Sequence, residues 1–252
     1  MTLLWFVPLV TVIGWLLAGP LNALADWLPA EYAAPSWAGV WQRTVAPWQI
    51  PESFGGRWLR RTLLPISMAI GAALLAVLYG PTLKFVLVGL TFAVLVLITV
   101  IDLEHRLIFP VVVIPAALFG LLYSGLTSGR DNPWLMALLG GLSYGLTMLV
   151  LYLGGFVFGR VWGTLRGQPL DDVVFGLGDV YLGAAVGLLL GWPGVILGLL
   201  LTVFAGAAVG LAVLVVSRLQ HDGDIYMPYG PYITLSAMAL IIYAQGLHLS
   251  GG

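Results

Sequence analysis

Long apolar segments recur along this chain with almost no charge inside them, and nothing restricts its fold more. The run from Lys84 to Ile101 (KFVLVGLTFAVLVLITVI) carries no charge after its first residue until Asp102 closes it. With 60% hydrophobic and 8% charged residues and a mean hydropathy of +1.03, the chain lies far from soluble domains, in which roughly 25% of residues are charged. A large soluble domain is therefore excluded. The apolar runs lack the period-2 alternation of a membrane barrel. Helices are the remaining way to satisfy backbone groups in lipid, so the fold class is an all-α polytopic membrane protein.

At about 20 apolar residues per crossing, about eight spans are expected. They lie near 3–19, 63–80, 84–102, 110–127, 134–157, 178–192, 193–216 and 229–247. The sixth is short for a full crossing, and a smaller span count with a re-entrant sixth segment is the competing arrangement. The first run, Leu3 to Ala18, has no basic residue before it and reads as a retained helix rather than a signal peptide. Three regions follow: a first transmembrane helix at 1–19, a polar loop region at 20–62 and a membrane core at 63–252. The loop is rich in proline and tryptophan and too small to bury much of a core.

Lys and Arg set the orientation. With the 20–62 loop on the cytoplasmic side, alternation brings Arg43, Arg57, Arg60, Arg61, Arg106, Arg160, Arg166 and Arg218 to that side, leaving Lys84 and Arg130 outside it. The same count puts Asp102 and Asp179 at one cytoplasmic edge. The net charge of −1 offers no basic surface for nucleic acid. The absence of cysteine removes disulfides, thiolate metal sites and cysteine nucleophiles, and His105, His221 and His248 lack ligand spacing, so no metal site is expected.

Asp102 and Asp179 are the candidate functional residues. An ionisable group at membrane depth is costly and reads first as functional, and two carboxylates that share a site can divide one proton between them. Each also has a bland explanation. Asp102 could be a carboxylate where its helix meets water, as Glu104 and Arg106 are expected to be. Asp179 could cap a helix. Gly176 and Gly178, just before Asp179, allow close backbone approach or positive φ and would leave room for an extended substrate strand. Small-residue spacing from Gly206 to Gly210 suits close helix packing. The patch Met227-Pro228-Tyr229-Gly230-Pro231-Tyr232 reads as a proline-rich helix entry with no catalytic role.

In order along the chain, Gly19-Pro20-Leu21-Asn22 through Leu28-Pro29, Ile101-Asp102-Leu103-Glu104-His105-Arg106-Leu107-Ile108, Gly176-Leu177-Gly178-Asp179-Val180, Leu188 through Gly194, and Pro228-Tyr229-Gly230-Pro231-Tyr232 resemble the motifs of the type IV prepilin peptidase family. The resemblance implies an eight-helix membrane aspartic protease in the cell's inner membrane, with Asp102 and Asp179 catalytic and facing the cytoplasm. Its partners would be membrane-inserted pilin-like or type II secretion pseudopilin precursors, from which it cuts a short basic leader. No cofactor is required for that proteolysis. Many members also bind zinc through paired cysteines in the first loop and methylate the new N-terminus with S-adenosylmethionine. This chain lacks those cysteines, and it has Tyr181 and Val111 where members often carry Lys and Asp or Asn. The rival functions are a non-catalytic scaffold of a pilus or secretion machine and an ion-coupled transporter. Carriers usually place their sites at the midplane of inverted repeats, which are not evident here. A protease of the presenilin type shares the glycine–aspartate signature but carries its other acid in a Tyr-Asp context, unlike Ile101-Asp102.

Overall fold

A computed structural model describes residues 2–33, 57–129, 131–166, 176–220 and 228–250. Among the described residues there are eight helices and no strand: α1 (Thr2–Ala33), α2 (Arg57–Tyr79), α3 (Leu83–His105), α4 (Pro110–Thr127), α5 (Pro133–Arg166), α6 (Leu177–Leu190), α7 (Gly194–Gln220) and α8 (Gly230–Ser250). The chain is an all-α integral membrane protein: six of these helices are long and apolar enough to cross a membrane. The 14 residues of α6 reach only roughly 21 Å at about 1.5 Å per residue, short of a hydrocarbon layer of roughly 30 Å. The expected sixth crossing is thus a short helix.

Large apolar side chains that would be a liability in water line the outside. On α1 alone Leu4, Trp5, Leu9, Val12 and Leu16 are exposed. Lipid is as apolar as they are, so burial cannot drive these helices together, and close packing and hydrogen bonds take over. Side-chain hydroxyls within the spans follow the same logic. Those of Thr11, Thr91 and Thr99 donate to carbonyls one turn back on their own helices, which satisfies these three hydroxyls in an apolar medium.

The chain divides into two compact units, Met1–Leu107 with Ile242–Gly252, and Ile108–Ile241. In the first, α1 packs along α2, and α3 completes the group. Gly14 permits the first contact, since a Cβ there would stand 2.6 Å from the Ala72 Cβ and 2.8 Å from the Met68 carbonyl oxygen. Phe6 and Phe85 meet edge to face at 5.2 Å.

α1 does not stop near residue 19, as expected, but runs to Ala33 through Pro20 and Pro29. The reason is a buried stripe. Ala18, Leu21, Asn22, Ala25 and Leu28 all point inward, at the three- and four-residue spacing of one helical face. Neighbouring helices can offset the backbone bonds that an internal proline forfeits. The central part of the expected loop, including Trp37, Trp41 and Trp48, lies outside the described residues.

In the second unit α6 lies between α4 and α5, and Leu182, Gly183, Ala185, Val186, Gly187 and Leu189 are all buried. Glycines let it sit so deep. A Cβ on Gly187 would strike the Gly140 carbonyl and come within 2.8 Å of the Gly141 Cα, and one on Gly141 would come within 2.8 Å of the Leu188 side chain. On the α4 side, a Cβ on Gly120 would lie 2.9 Å from that of Leu189. These faces repeat every fourth residue, Gly183, Gly187 and Gly191 on one side and Gly141 and Gly145 on the other, the small-residue pattern of membrane helix contacts. The expected stripe at Gly206 and Gly210 behaves differently. Gly206 makes room for the Tyr229 ring, 2.9 Å from where its Cβ would be, whereas Gly210 faces open space.

A buried hydroxyl chain joins three helices of this unit. The Tyr144 hydroxyl on α5 and Thr202 Oγ1 on α7 share a hydrogen bond of 2.7 Å, and Thr202 Oγ1 and Ser236 Oγ on α8 share another of 2.7 Å. Ser236 in turn donates to the Ile233 carbonyl at 2.8 Å. Tyr144→Phe keeps the ring and leaves Thr202 its Ser236 partner, so it is expected to cost about 0.6 kcal/mol, the average for such bonds within membranes. Unfolding of both proteins in the same detergent checks this, and a loss several times larger would mean that the chain acts as one cooperative unit.

Candidate active site

Asp102 and Asp179 are the two buried acids among the described residues, with 4% and 7% of their surfaces exposed. Asp102 lies in the first unit and Asp179 in the second.

Asp102 sits in the last turn of α3. The helix closes on Arg106, which takes the left-handed conformation (φ 57) and donates its N–H to the Asp102 carbonyl, a common way for helices to end. Although the chain leaves the helix here, the Asp102 side chain is not at a water-facing end, as its bland explanation required. Ile101 and Asp102 turn inward while Leu103 is exposed. Glu104 is exposed, as expected, and also accepts a hydrogen bond from Arg60 Nη1 on α2. Arg60 Nη2 donates to Asp26 Oδ1 on α1 at 2.6 Å. Asn22, one turn before Asp26, is buried as well, and its Oδ1 and the Arg60 Nε have no hydrogen-bond partner among the described residues. This polar cluster escaped sequence analysis because Arg60 was counted only as a surface charge. The signal was an asparagine and an aspartate four residues apart, following an apolar run, on one helix.

Asp179 is the third residue of α6, and Gly176, not Asp179, occupies the N-cap position. The Gly176 N–H donates to Asp179 Oδ2 at 3.0 Å, and the Asp179 N–H donates to the Gly176 carbonyl at 3.1 Å. The carboxylate thus reaches back as the acid of a capping box does, although a glycine cannot supply the side-chain half. A carboxylate here also meets the positive end of the helix dipole. Tyr229, at the entry of α8, meets the Tyr232 ring edge-on at 5.7 Å.

The two glycines serve different ends, and neither takes a positive φ. Gly176 has φ −92, and a Cβ on it would meet nothing closer than 3.8 Å. Gly178 is held against Ile108, whose Cβ would be 2.7 Å from its own. Gly178→Ala is therefore expected to cost on the order of 1–3 kcal/mol by overpacking, and Gly176→Ala less than about 1 kcal/mol. Thermal unfolding in detergent separates them, and equal losses would refute the steric account. The turn after α6 is anchored to α5, since the Trp192 N–H donates to the Met136 carbonyl at 2.8 Å. The loop acids Asp171, Asp172, Asp222 and Asp224 lie outside the described residues.

A model of the type IV leader peptidase family matches residues 89–211. That stretch contains both aspartates, the glycines before the second, and the whole α4–α6 packing. Residues 89–211, just under half of the chain, are thus similar to the type IV leader peptidase family. A curated relative, the prepilin leader peptidase/N-methyltransferase of Legionella pneumophila, is 28% identical over 170 residues, covering 67% of this chain and 54% of the relative. The match thus spans about half of the relative's length. No solved structure matches the chain.

Proposed function

We propose that this protein belongs to the type IV leader peptidase family and is an aspartic endopeptidase that removes the short cytoplasmic leader from membrane-inserted pilin-like precursors, with Asp102 and Asp179 as its catalytic pair. The observation that carries the proposal is their burial: of the described acids, these two alone are withdrawn from solvent, and both fall within the family match. Burial of a carboxylate in an apolar setting is costly and is tolerated where chemistry uses it.

Two carboxyl groups suffice for peptide hydrolysis. One, ionised, takes a proton from a water molecule as that water attacks the scissile carbonyl. The other, protonated, donates a hydrogen bond to the carbonyl oxygen and stabilises the charge that develops there. The protons belong to the pair rather than to either residue. In the proposed orientation the pair lies at the cytoplasmic edge of the inner membrane. Water reaches it there, and the precursor's junction between leader and apolar helix lies at the same depth.

Incubating the purified protein with a pilin-like precursor in lipid, followed by mass analysis of the product, tests this. A product shortened by its basic leader supports the proposal. An intact precursor, across several precursors and lipid mixtures, moves the scaffold or transporter functions ahead of it. Repeating the incubation with and without added S-adenosylmethionine reads methylation, since a methyl group gained at the new N-terminus only when the donor is present would assign it as a second substrate.

A further inference from the structure

The chemistry above uses Asp102 and Asp179 and leaves a buried charge unexplained. Arg60 is the buried basic side chain among the described residues. Its side chain is 6% exposed, whereas its partners Asp26 and Glu104 are 27% and 32% exposed. One guanidinium on α2 therefore joins α1 through Asp26 and the last turn of α3 through Glu104. Its planar fork can address two carboxylates at once, which the single ammonium of a lysine does poorly.

Stability alone is a weak reason for such a cluster, because desolvating a charge offsets much of what its ion pairs contribute. Its position is more telling. Glu104 follows Asp102 by two residues, and α3 ends at His105. Terminal helix turns fray unless something holds them, and a buried carboxylate in a fraying turn would lack a fixed direction.

We propose that Arg60 is a positioning residue for Asp102, clamping the last turn of α3 onto α1 and α2 through Glu104 and Asp26. The proposal rests on the protease function above, in which Asp102 must meet the substrate in a fixed geometry. A misplacement of about 1 Å in such a group can cost about 10²-fold in rate.

The test uses the whole chain in lipid, with Arg60→Gln, Arg60→Lys, Glu104→Gln and Asp102→Asn compared with wild type. Cleavage of a pilin-like precursor gives kcat and KM separately, and hydrogen exchange follows the amides of residues 102–106. Arg60→Gln and Glu104→Gln are expected to lower kcat by about 10- to 100-fold with little change in KM, and to speed exchange in that turn. Arg60→Lys should recover part of both. A folded Arg60→Gln protein with wild-type kcat overturns the proposal, whether or not its exchange or melting temperature has changed, because the clamp would then serve structure only. The two hypotheses fail differently. If Asp102→Asn is inactive while Arg60→Gln is normal, only the positioning role falls. If Asp102→Asn cleaves like wild type, the catalytic assignment of Asp102 falls and the positioning role falls with it.

Discussion

Asp102→Asn and Asp179→Asn should each abolish leader cleavage, lowering kcat by about 10²–10⁴-fold, the range in which a positioned acid or base contributes. The substitution is nearly isosteric, so neither site is opened or overfilled. At Asp179 an amide oxygen can still accept the Gly176 N–H that the carboxylate accepts at 3.0 Å, and the start of α6 should hold. At Asp102 the buried side chain keeps its volume. An amide, however, can neither take a proton from water nor hold one for the carbonyl. Losses are expected to be non-additive, since the two groups act as a unit, and the double variant should be no worse than the poorer single one. The measurement is single-turnover cleavage in lipid, with melting temperature as the folding control. A folded variant of either kind that retains wild-type activity removes that residue from the mechanism.

Gly187→Leu should prevent α5 and α6 from packing. Even the first carbon of the new side chain would overlap the Gly140 carbonyl and the Gly141 Cα. These are backbone atoms and cannot swing aside as the end of a flexible side chain can. Overpacking of ordinary cores costs typically 1–3 kcal/mol, and more where backbone must move, so about 3 kcal/mol is a floor for this site. Because α6 carries Asp179 on its first turn and packs against α4 as well as α5, the loss should appear as reduced yield and a lower melting temperature together with inactivity. Gly210→Leu is the contrast, since nothing lies within 4 Å of a Cβ there. Equal melting temperatures for Gly187→Leu and wild type would show that the α5–α6 contact is not a close one.

Much of this protein is legible in its sequence, for a physical reason. In lipid every backbone group must be satisfied within its own segment, so long apolar runs become helices whatever surrounds them. That logic yields the helix class and approximate spans and marks Asp102 and Asp179 as unusual, since charge in such runs is rare enough to stand out. It fails where polarity and helicity part company. Residues 20–33 read as loop because they contain proline, asparagine and aspartate, yet they continue α1 because one face of them is buried.

What composition and periodicity could not decide were contacts between residues far apart in the chain. That Gly178 is needed for Ile108 and Gly206 for Tyr229, while Gly176 and Gly210 meet no such neighbour, is a matter of which atoms approach. That Arg60 faces two carboxylates, rather than water, depends on the rotation of α2 against α1 and α3. The sequence by itself determined the solvent this chain must live in, its helical class and the two acids worth testing, because each follows from the cost of polar groups in an apolar medium. Tertiary structure alone decided which glycines are indispensable, how deeply α6 is held and what surrounds each aspartate, because those depend on distances between helices that no local pattern encodes.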